Sequence, residues 1–165
     1  MAIKNRPEFQ KFIRRVEKSS DEFRASSTEK RHSKQYRTAR ENLAHLVDED
    51  SFLEFGQFAV AAQRNRRDYE ELQDKTNADG IITGFCSVNS GLVGSESSQA
   101  VAIVYDYSVL AGTQGAFHHL KLDRICDQAK KFELPIVIFT EGGGGRPGDT
   151  DVLVQMAGLH IPSFS

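Results

Sequence analysis

The feature that most constrains the fold is a run of apolar residues, 135–139, that leads into four consecutive glycines, 142–145. A strand with no polar residues between its apolar ones is typical of a strand covered on both faces, as in the sheet of an α/β domain. The glycines follow the carboxyl end of this strand, which is where open α/β sheets bind ligands. A flexible linker would lie between polar segments, whereas apolar residues from Val152 onward predict a helix after the glycines. The sequence therefore predicts an α/β fold with a candidate site at this strand end.

Short patterned segments supply the other elements of such a fold. Residues 80–88 and 100–106 are apolar runs separated by turn-forming residues, so we predict an antiparallel hairpin. Residues 115–132 are predicted to form a helix that packs one face on the sheet, because their apolar side chains recur at helical spacing. Residues 51–55 are predicted to be extended, and the polar residues 63–77 to form a loop or a short exposed helix.

The first part of the chain, residues 1–37, is dense in charge. Its scattered apolar residues recur at helical spacing, which predicts a charged helical extension that ends at a Ser-rich joint, residues 26–27. The basic residues could contact phosphate, but a solvated charged face is the more common role of such a pattern, and we favour it. Thr38 and Glu41 then have the spacing of a capping box, which predicts a helix start and the beginning of a second part, residues 38–165.

The composition argues against two classes of partner. With 21 basic and 23 acidic residues the net charge is −2, so no global positive field attracts nucleic acid or an anionic membrane. No segment approaches the ~20 apolar residues that cross a bilayer. Cys86 and Cys126 do not have the spacing of a zinc site, and we predict two buried thiols. These features indicate a reducing compartment, the cytoplasm or, in a eukaryote, the mitochondrial matrix.

The glycine run, Gly142–Gly145, has the composition of an oxyanion-binding loop. Glycine reaches positive φ without a Cβ clash, and it lets backbone amides approach a ligand within hydrogen-bond distance. Two such amides aimed at one point stabilise negative charge that develops on a carbonyl oxygen. The run lacks the Walker, dinucleotide-binding and Gly-x-Ser-x-Gly patterns, so it predicts neither a nucleotide loop nor a serine nucleophile. We therefore interpret it as an oxyanion site.

A second turn rich in small residues lies between the predicted strand that ends near Asp106 and the predicted helix that begins near Gly115. Two of its residues, Ala111 and Gly112, permit close approach of the backbone, and the helix N-terminus could meet a phosphate or a carbonyl group. A plain helix-start turn explains the same residues without a ligand. The sequence leaves both interpretations open.

Two pairs of polar residues near these turns suggest chemical roles. His118 and His119 are adjacent on the predicted helix and point about 100° apart, so they cannot easily share one metal ion, and we favour ordinary polar helix positions. Asp149 and Asp151 could act as an acid and base pair, but carboxylates at a helix N-terminus explain them equally well. The sequence therefore predicts no metal site.

Several motifs occur in an order that is more specific than any one of them. They are Thr38–Glu41, Leu46–Asp48, Ser51–Glu54, Ala78–Gly84, Asp106–Gly112 and Gly143–Arg146. In this order the chain resembles the N-terminal part of the carboxyltransferase domain of biotin-dependent acyl-CoA carboxylases, the acetyl-, propionyl- and methylcrotonyl-CoA enzymes of the crotonase-like superfamily. The resemblance runs from about Arg31 to Met156.

This resemblance implies a crotonase-like fold of stacked β-β-α units, in which this half binds acyl-CoA and a second half binds carboxybiotin. Carboxyl transfer then passes through an enolate of the thioester that is held by backbone amides. The implied catalytic residues are Gly143, Gly144 and Gly145. The implied substrate-binding residues are Ala111, Gly112, Thr113, Gln114, Gly115 and Arg146.

The same resemblance implies partners besides the acyl-CoA. These are the remaining carboxyltransferase half, biotin carboxylase and a biotin carrier, in a homo- or hetero-oligomer. Because the family continues past position 165 and completes its site across a subunit interface, we expect residues 38–165 to be a partial N-terminal domain that is inactive alone. The alternative is a non-catalytic assembly or regulatory module that associates with complete carboxylase subunits. The loop Gly142–Arg146 also replaces the more usual Ser-Gly-Gly-Ala-Arg, so we expect a looser loop.

Overall fold

The computed structural model describes residues 6–152. Six helices and four strands follow one another within that range. They are α1 (Pro7–Glu17), α2 (Ala25–His32), α3 (Ala39–Leu46), β1 (Leu53–Phe55), α4 (Tyr69–Lys75), β2 (Ile81–Ser87), α5 (Ser90–Val93), β3 (Gln99–Tyr105), α6 (Ala116–Lys131) and β4 (Ile136–Phe139). Two short 3-10 turns, Asn77–Gly80 and Leu110–Gly112, precede β2 and α6. None of the helices in this part of the chain has the length and apolar character that crossing a bilayer requires.

One sheet with the strand order β1-β2-β3-β4 organises the fold. Strands β2 and β3 pair antiparallel, from Ile81 opposite Tyr105 to Ser87 opposite Gln99, so the predicted hairpin is confirmed. Strand β1 is antiparallel to β2, and β4 is parallel to β3. Helix α6 covers one face of the sheet and α3 covers the other, each with its own apolar cluster. The consecutive elements β2, β3 and α6 thus form a β-β-α unit.

The expectation that the last strand is covered on both faces is wrong for the described residues. Strand β4 lies at the edge of the sheet, and Ile136 and Ile138 are 40% and 38% exposed. Both side chains lie on the α6 face, since they pair with Val101 and Ile103, but α6 packs over β2 and β3 and leaves β4 uncovered. The helix predicted after the glycines, from Val152 onward, lies outside the described residues except for Val152 itself.

The charged N-terminal segment forms two helices, α1 and α2, rather than one helix that ends at residues 26–27. The break lies at residues 18–24, where the Ser19 hydroxyl donates to the carbonyl of Val16 at 2.7 Å. Serine side chains that bond to nearby backbone groups compete with continuation of a helix. Residues 26–27 lie inside α2 instead.

Ion pairs dock the second helix against the sheet. Arg24 contacts the Asp106 carboxylate at 2.9 Å, just after β3, and Arg31 contacts the Glu141 carboxylate at 2.6 Å, just after β4. Because β3 and β4 are parallel, both contacts lie at the same end of the sheet. Helix α2 is thereby held beside the carboxyl ends of these two strands.

The capping box at the start of α3 is confirmed and gives a test of the local folding argument. The Thr38 hydroxyl accepts from the Glu41 amide at 3.0 Å, and the Glu41 carboxylate accepts from the Thr38 amide at 2.8 Å. The substitution Thr38→Ala removes the hydroxyl half of this box, and we expect it to lower the free energy of unfolding by about 1 kcal/mol.

Chemical denaturation monitored by circular dichroism measures this loss. Ser26→Ala is the matched control, because Ser26 is exposed within α2 and its hydroxyl has no partner among residues 6–152. Equal stability of the two variants would contradict a stabilising cap at Thr38.

Candidate functional site

The two glycine-rich turns lie side by side where the parallel strands β3 and β4 end. The Gly143 amide donates to the carbonyl of Gly112 at 3.0 Å. The Gln114 amide donates to the carbonyl of Gly144 at 2.8 Å, and the Arg146 amide donates to the carbonyl of Gln114 at 2.9 Å. These bonds form a short parallel bridge between the turns. The structure therefore joins two segments that the sequence treats separately.

Close approach of the two backbones explains the glycines at the contact. A Cβ atom at Gly143 would collide with the carbonyl oxygen of Ala111, and one at Gly112 would collide with the carbonyl oxygen of Glu141. Gly144 differs, because its φ is +86° and a Cβ there would meet nothing within 4 Å. The space in front of Gly144 is open to a ligand.

The backbone hydrogen bonds of the glycine loop determine which of its amides can serve as oxyanion donors. The N–H of Gly143 is used by Gly112, so it is not free to bind a thioester oxygen in this conformation. The N–H groups of Gly144 and Gly145 have no acceptor within the described part of the chain, and both residues are exposed. Two consecutive amides without an acceptor among residues 6–152 thus lie at the surface of the loop, at two of the three positions, Gly143–Gly145, that the resemblance implies.

The facing turn has an unusual backbone conformation. Leu110, Ala111 and Gly112 have φ values of +47°, +56° and +67°. Each non-glycine residue in this region costs of order 1 kcal/mol or more, so surrounding contacts must hold the turn in place. The Thr113 hydroxyl supplies one of these contacts, because it donates to the Leu110 carbonyl at 2.7 Å.

A buried guanidinium lies behind the two turns. Arg146 is 4% exposed and forms an ion pair with Asp79, whose side chain is fully buried. Its Nε donates to the Thr113 hydroxyl at 3.2 Å, and Nη1 lies 3.6 Å from the Asp149 carboxylate. Burial raises the pKa of Asp79, while the permanently charged Arg146 acts in the opposite direction. The guanidinium predicted to bind substrate is therefore directed into the protein, where it connects the turns.

The N-terminus of α6 is occupied by protein carboxylates. The Ala116 amide donates to Asp149 at 2.9 Å, and the His118 amide donates to Asp79 at 2.8 Å. A carboxylate at this position satisfies orphan amides and complements the helix dipole, so these amides are not open to a phosphate. Asp151 accepts from the amides of residues 64 and 65 at 2.6 and 2.9 Å. Asp149 and Asp151 thus bind backbone amides in this structure and do not form an acid and base pair.

The adjacent histidines are more buried than ordinary polar helix positions. His118 is fully buried and its ring packs edge-on against Tyr105, with ring centroids 4.7 Å apart. Burial lowers the pKa of His118 to about 3 and also lowers the pKa of His119, so both rings are neutral near pH 7. Residues 6–152 contain no group of three or more side chains that could hold a metal ion.

Sequence reasoning missed the residues that position the site. Asp79 lies in the motif Ala78–Gly84, but nothing in the sequence assigned its side chain a role beyond its place before a buried strand. An aspartate is rarely fully buried unless it is paired, so this position is the one signal of a buried partner. Its partner Arg146 is 67 positions away, and the Arg31 partner of Glu141 is 110 positions away. Periodicity within a short segment gives no information about contacts between residues so far apart in sequence.

Solved structures place this geometry in a known architecture. The chain superimposes with a TM-score of 0.88 and 48% identity on a single-chain, multi-domain long-chain acyl-CoA carboxylase, covering 97% of this chain and 16% of that one. It superimposes with a TM-score of 0.68 and 27% identity on transcarboxylase 12S, covering 90% and 27% of the two chains. The fold is therefore a crotonase-like α/β fold, of the kind found in carboxyltransferases.

The family follows from the sequence comparison. The model of the carboxyl transferase domain matches residues 30–159, so the chain belongs to the carboxyl transferase domain family. Methylmalonyl-CoA decarboxylase subunit alpha of Veillonella parvula is 31% identical over 118 residues, which are 72% of this chain and 21% of that protein. The acetyl-coenzyme A carboxylase carboxyl transferase subunit beta of Prochlorococcus marinus is 33% identical over 127 residues, 71% of this chain and 41% of that protein. The chain spans less than half the length of these relatives.

The buried ion pair generates a prediction about stability. Arg146→Met leaves the Asp79 carboxylate buried without its cation, and we expect a loss of about 3 kcal/mol or more in the free energy of unfolding. Lys75→Met is the control, because Lys75 contacts Glu71 in an exposed i,i+4 pair and should change stability several times less. Denaturant unfolding measures both losses. An Arg146→Met variant as stable as Lys75→Met would show that the pair does not hold the turns.

Proposed function

We propose that the chain is the acyl-CoA-binding part of a biotin-dependent carboxyltransferase. In this proposal the N–H groups of Gly144 and Gly145 bind the thioester oxygen as the enolate forms. The observation that carries it is a pair of consecutive, exposed amides at the carboxyl end of a parallel strand pair, neither of which has an acceptor in the part of the chain that the structure describes. Membership in the carboxyl transferase family supports an acyl-CoA thioester as the ligand.

The chemistry needs donors that are in place before charge develops. Loss of the proton next to a thioester carbonyl moves negative charge onto its oxygen, and fixed amides stabilise that charge without reorganising. In other enzymes each such donor lowers the activation barrier by roughly 3 kcal/mol. Here the bonds from Gly143 to Gly112 and from Gln114 to Gly144 fix the loop on either side of the free amides. Gly143 would then support the site by positioning Gly144 and Gly145.

The turn Ala111–Gly115 would form the other wall of the acyl-CoA site. Ala111 is exposed beside the glycine loop, so its backbone is available to line the path of the thioester. Gly112 and Gly115 are buried and permit the close packing, while Thr113 and Gln114 bond to the opposite loop. Arg146 would act as a positioning residue through its contacts with Asp79 and Thr113.

The carboxyl group itself would come from partners. Carboxybiotin on a carrier protein supplies it in this proposal, and we assign no described residue of this chain to biotin. A second carboxyltransferase half and biotin carboxylase would complete the reaction in an oligomer, as the relatives that are carboxylase subunits suggest. The two buried free thiols support a reducing compartment, the cytoplasm or a mitochondrial matrix.

A second candidate function is a non-catalytic assembly module of such a carboxylase. The exposed isoleucines of the edge strand β4 favour it, because unpaired strand edges with apolar side chains are sites of association. Recognition of the thioester oxygen distinguishes the two functions. The acyl-CoA-binding function requires it, whereas an assembly module does not.

Isothermal titration of the 165-residue chain tests the proposal. The ligands are acetyl-CoA, propionyl-CoA and S-ethyl-CoA, a thioether of similar size that lacks the carbonyl oxygen. We expect the thioesters to bind about fivefold more tightly than the thioether, because a neutral hydrogen bond contributes about 1 kcal/mol. Gly144→Ala places a methyl group in the open space before the amides and should abolish this preference.

Gly94→Ala is the matched control for backbone strain. Gly94 has a φ of +85°, against +86° for Gly144, and a Cβ there also meets nothing within 4 Å. The control should keep the preference for thioesters. If the chain binds thioester and thioether equally, or if both alanine variants behave alike, Gly144 and Gly145 do not hold the thioester oxygen.

A further inference from the structure

Lys121 is a partly buried lysine without a carboxylate partner. It lies in the second turn of α6, and its aliphatic stem passes over Gly56, the residue that follows β1. A Cβ atom at Gly56 would lie 2.9 Å from Cδ and Cε of Lys121, so the glycine leaves room for the stem. No ion pair among residues 6–152 includes Lys121. Lysine side chains are mostly exposed in proteins and are rarely enclosed without such a partner.

The hydrogen bonds of Lys121 fit a neutral amine. Its Nζ donates to the carbonyl of Ala78 at 2.8 Å and also to the carbonyl of Ile81. An ammonium group has three N–H donors, whereas a neutral amine has two and a lone pair. No third acceptor for Nζ lies within hydrogen-bond distance in the described part of the chain. The two carbonyls therefore use both N–H groups of the neutral form and leave its lone pair unengaged.

The charges around Lys121 favour the neutral form as well. Burial lowers the pKa of Lys121 to about 8, because the charged form loses its contact with water. Glu54 of β1 and Asp79 of the turn before β2 act in the opposite direction, and Arg40 of α3 acts with burial. A desolvated lysine of this kind is a nucleophile near neutral pH, because much of it is unprotonated.

A cavity gives small molecules access to this amine. Lys121 lines a cavity of about 510 Å³ between α6 and the end of β1. Its apolar walls include Phe55, Ala59, Phe117 and Leu120, and none of the lining residues is a carboxylate. Transfer of a charged group into such surroundings is costly, so the cavity admits an uncharged acyl group more readily than an anion or a cation.

We propose that Lys121 is an acylation site that reacts with acyl thioesters. The Nζ atom attacks the carbonyl carbon of the thioester, the Nζ–C bond forms as the C–S bond breaks, and the proton lost by the amine leaves with the thiol. The products are an amide on the lysine side chain and a free thiol, so the step needs no further reactant. This reaction goes beyond the proposed function, in which the acyl group stays on sulfur.

Acylation of Lys121 would act on the turn that holds Asp79. An amide nitrogen keeps one N–H group, so one of the two carbonyls, that of Ala78 or that of Ile81, loses its donor. Between these carbonyls the chain is strained, because Ala78, Asp79 and Gly80 have φ values of +54°, +51° and +76°. Non-glycine residues in this region persist only where surrounding contacts hold them. Acylation would therefore weaken the support of the buried ion pair behind the two glycine-rich turns.

Mass spectrometry of the 165-residue chain tests the proposal. The chain is incubated with acetyl-CoA over a range of pH, and acetylation of each lysine is followed by peptide mapping. At pH 8 we expect Lys121 to react about tenfold faster than Lys130, an exposed lysine of the same helix, because an amine with a lowered pKa has more of its neutral form. The rate at Lys121 should level off above about pH 8, whereas the rate at a solvated lysine rises until about pH 10. S-ethyl-CoA has no acyl group to transfer and should modify neither residue.

Gly56→Ala displaces the stem of Lys121, and Gly94→Ala is its matched control. Both glycines have a positive φ, +67° and +85°, but a Cβ at Gly94 meets nothing within 4 Å. We expect Gly56→Ala to bring the rate at Lys121 to within about twofold of that at Lys130 and to remove the plateau. Gly94→Ala should keep both the rate and the plateau.

The rates and the pH profile of the wild-type chain decide the proposal without any substitution. Acetylation of Lys121 no faster than that of Lys130, or a rate at Lys121 that rises without a plateau, would overturn it. Equal effects of the two alanine variants would also count against it. Failure of the proposed function has a different signature, namely equal binding of thioester and thioether in the titration while Lys121 is still acetylated.

Discussion

Arg146 and Asp79 meet in the interior of the protein, and the position of both glycine-rich turns depends on their contact. Asp79 lies in the turn before β2, whereas Arg146 lies directly after the glycine run that follows β4, so the pair joins the segment before β2 to the segment after β4. Removing two charges from water is costly, and such a pair persists when further hydrogen bonds satisfy it. Thr113 and the first turn of α6 supply these bonds. We therefore assign the pair a role in fixing geometry.

The fixed geometry explains how a loop of four glycines can present ordered amides. An isolated glycine run is flexible, because glycine loses more conformational freedom on folding than any other residue. Here bonds to the facing turn, including the bridge between Gln114 and Gly145, hold the run, and the ion pair from Arg31 to Glu141 holds the residue just before it. The expectation of a looser loop came from the replacement of the more usual Ser-Gly-Gly-Ala-Arg by Gly142–Arg146, and it took no account of these contacts. Once those contacts are made, the N–H groups of Gly144 and Gly145 are left without an acceptor among residues 6–152.

The spacing of residues along the chain predicted the elements that depend on contacts between residues close in sequence. The capping box at Thr38, the β2–β3 hairpin and the buried face of α6 all follow from spacing along the chain, and all are confirmed. The break between α1 and α2 was misplaced, because whether a serine continues or interrupts a helix depends on which backbone group its hydroxyl reaches. The exposure of β4 was missed since an apolar strand does not reveal its position in the sheet. Membership in the family came from ordered motifs, whereas the assignment of free amides and of the Asp79 contact needed distances between residues far apart in sequence.

The central claim is that the Gly144 and Gly145 amides bind the thioester oxygen, and nuclear magnetic resonance observes those two groups directly. In a ¹⁵N-labelled chain titrated with acetyl-CoA, a hydrogen bond to the carbonyl oxygen moves the amide protons of Gly144 and Gly145 downfield and leaves that of Gly94 in place. Titration with S-ethyl-CoA should not reproduce this shift. If acetyl-CoA and S-ethyl-CoA shift the two amides equally, or if neither shifts them, the account of the site is contradicted.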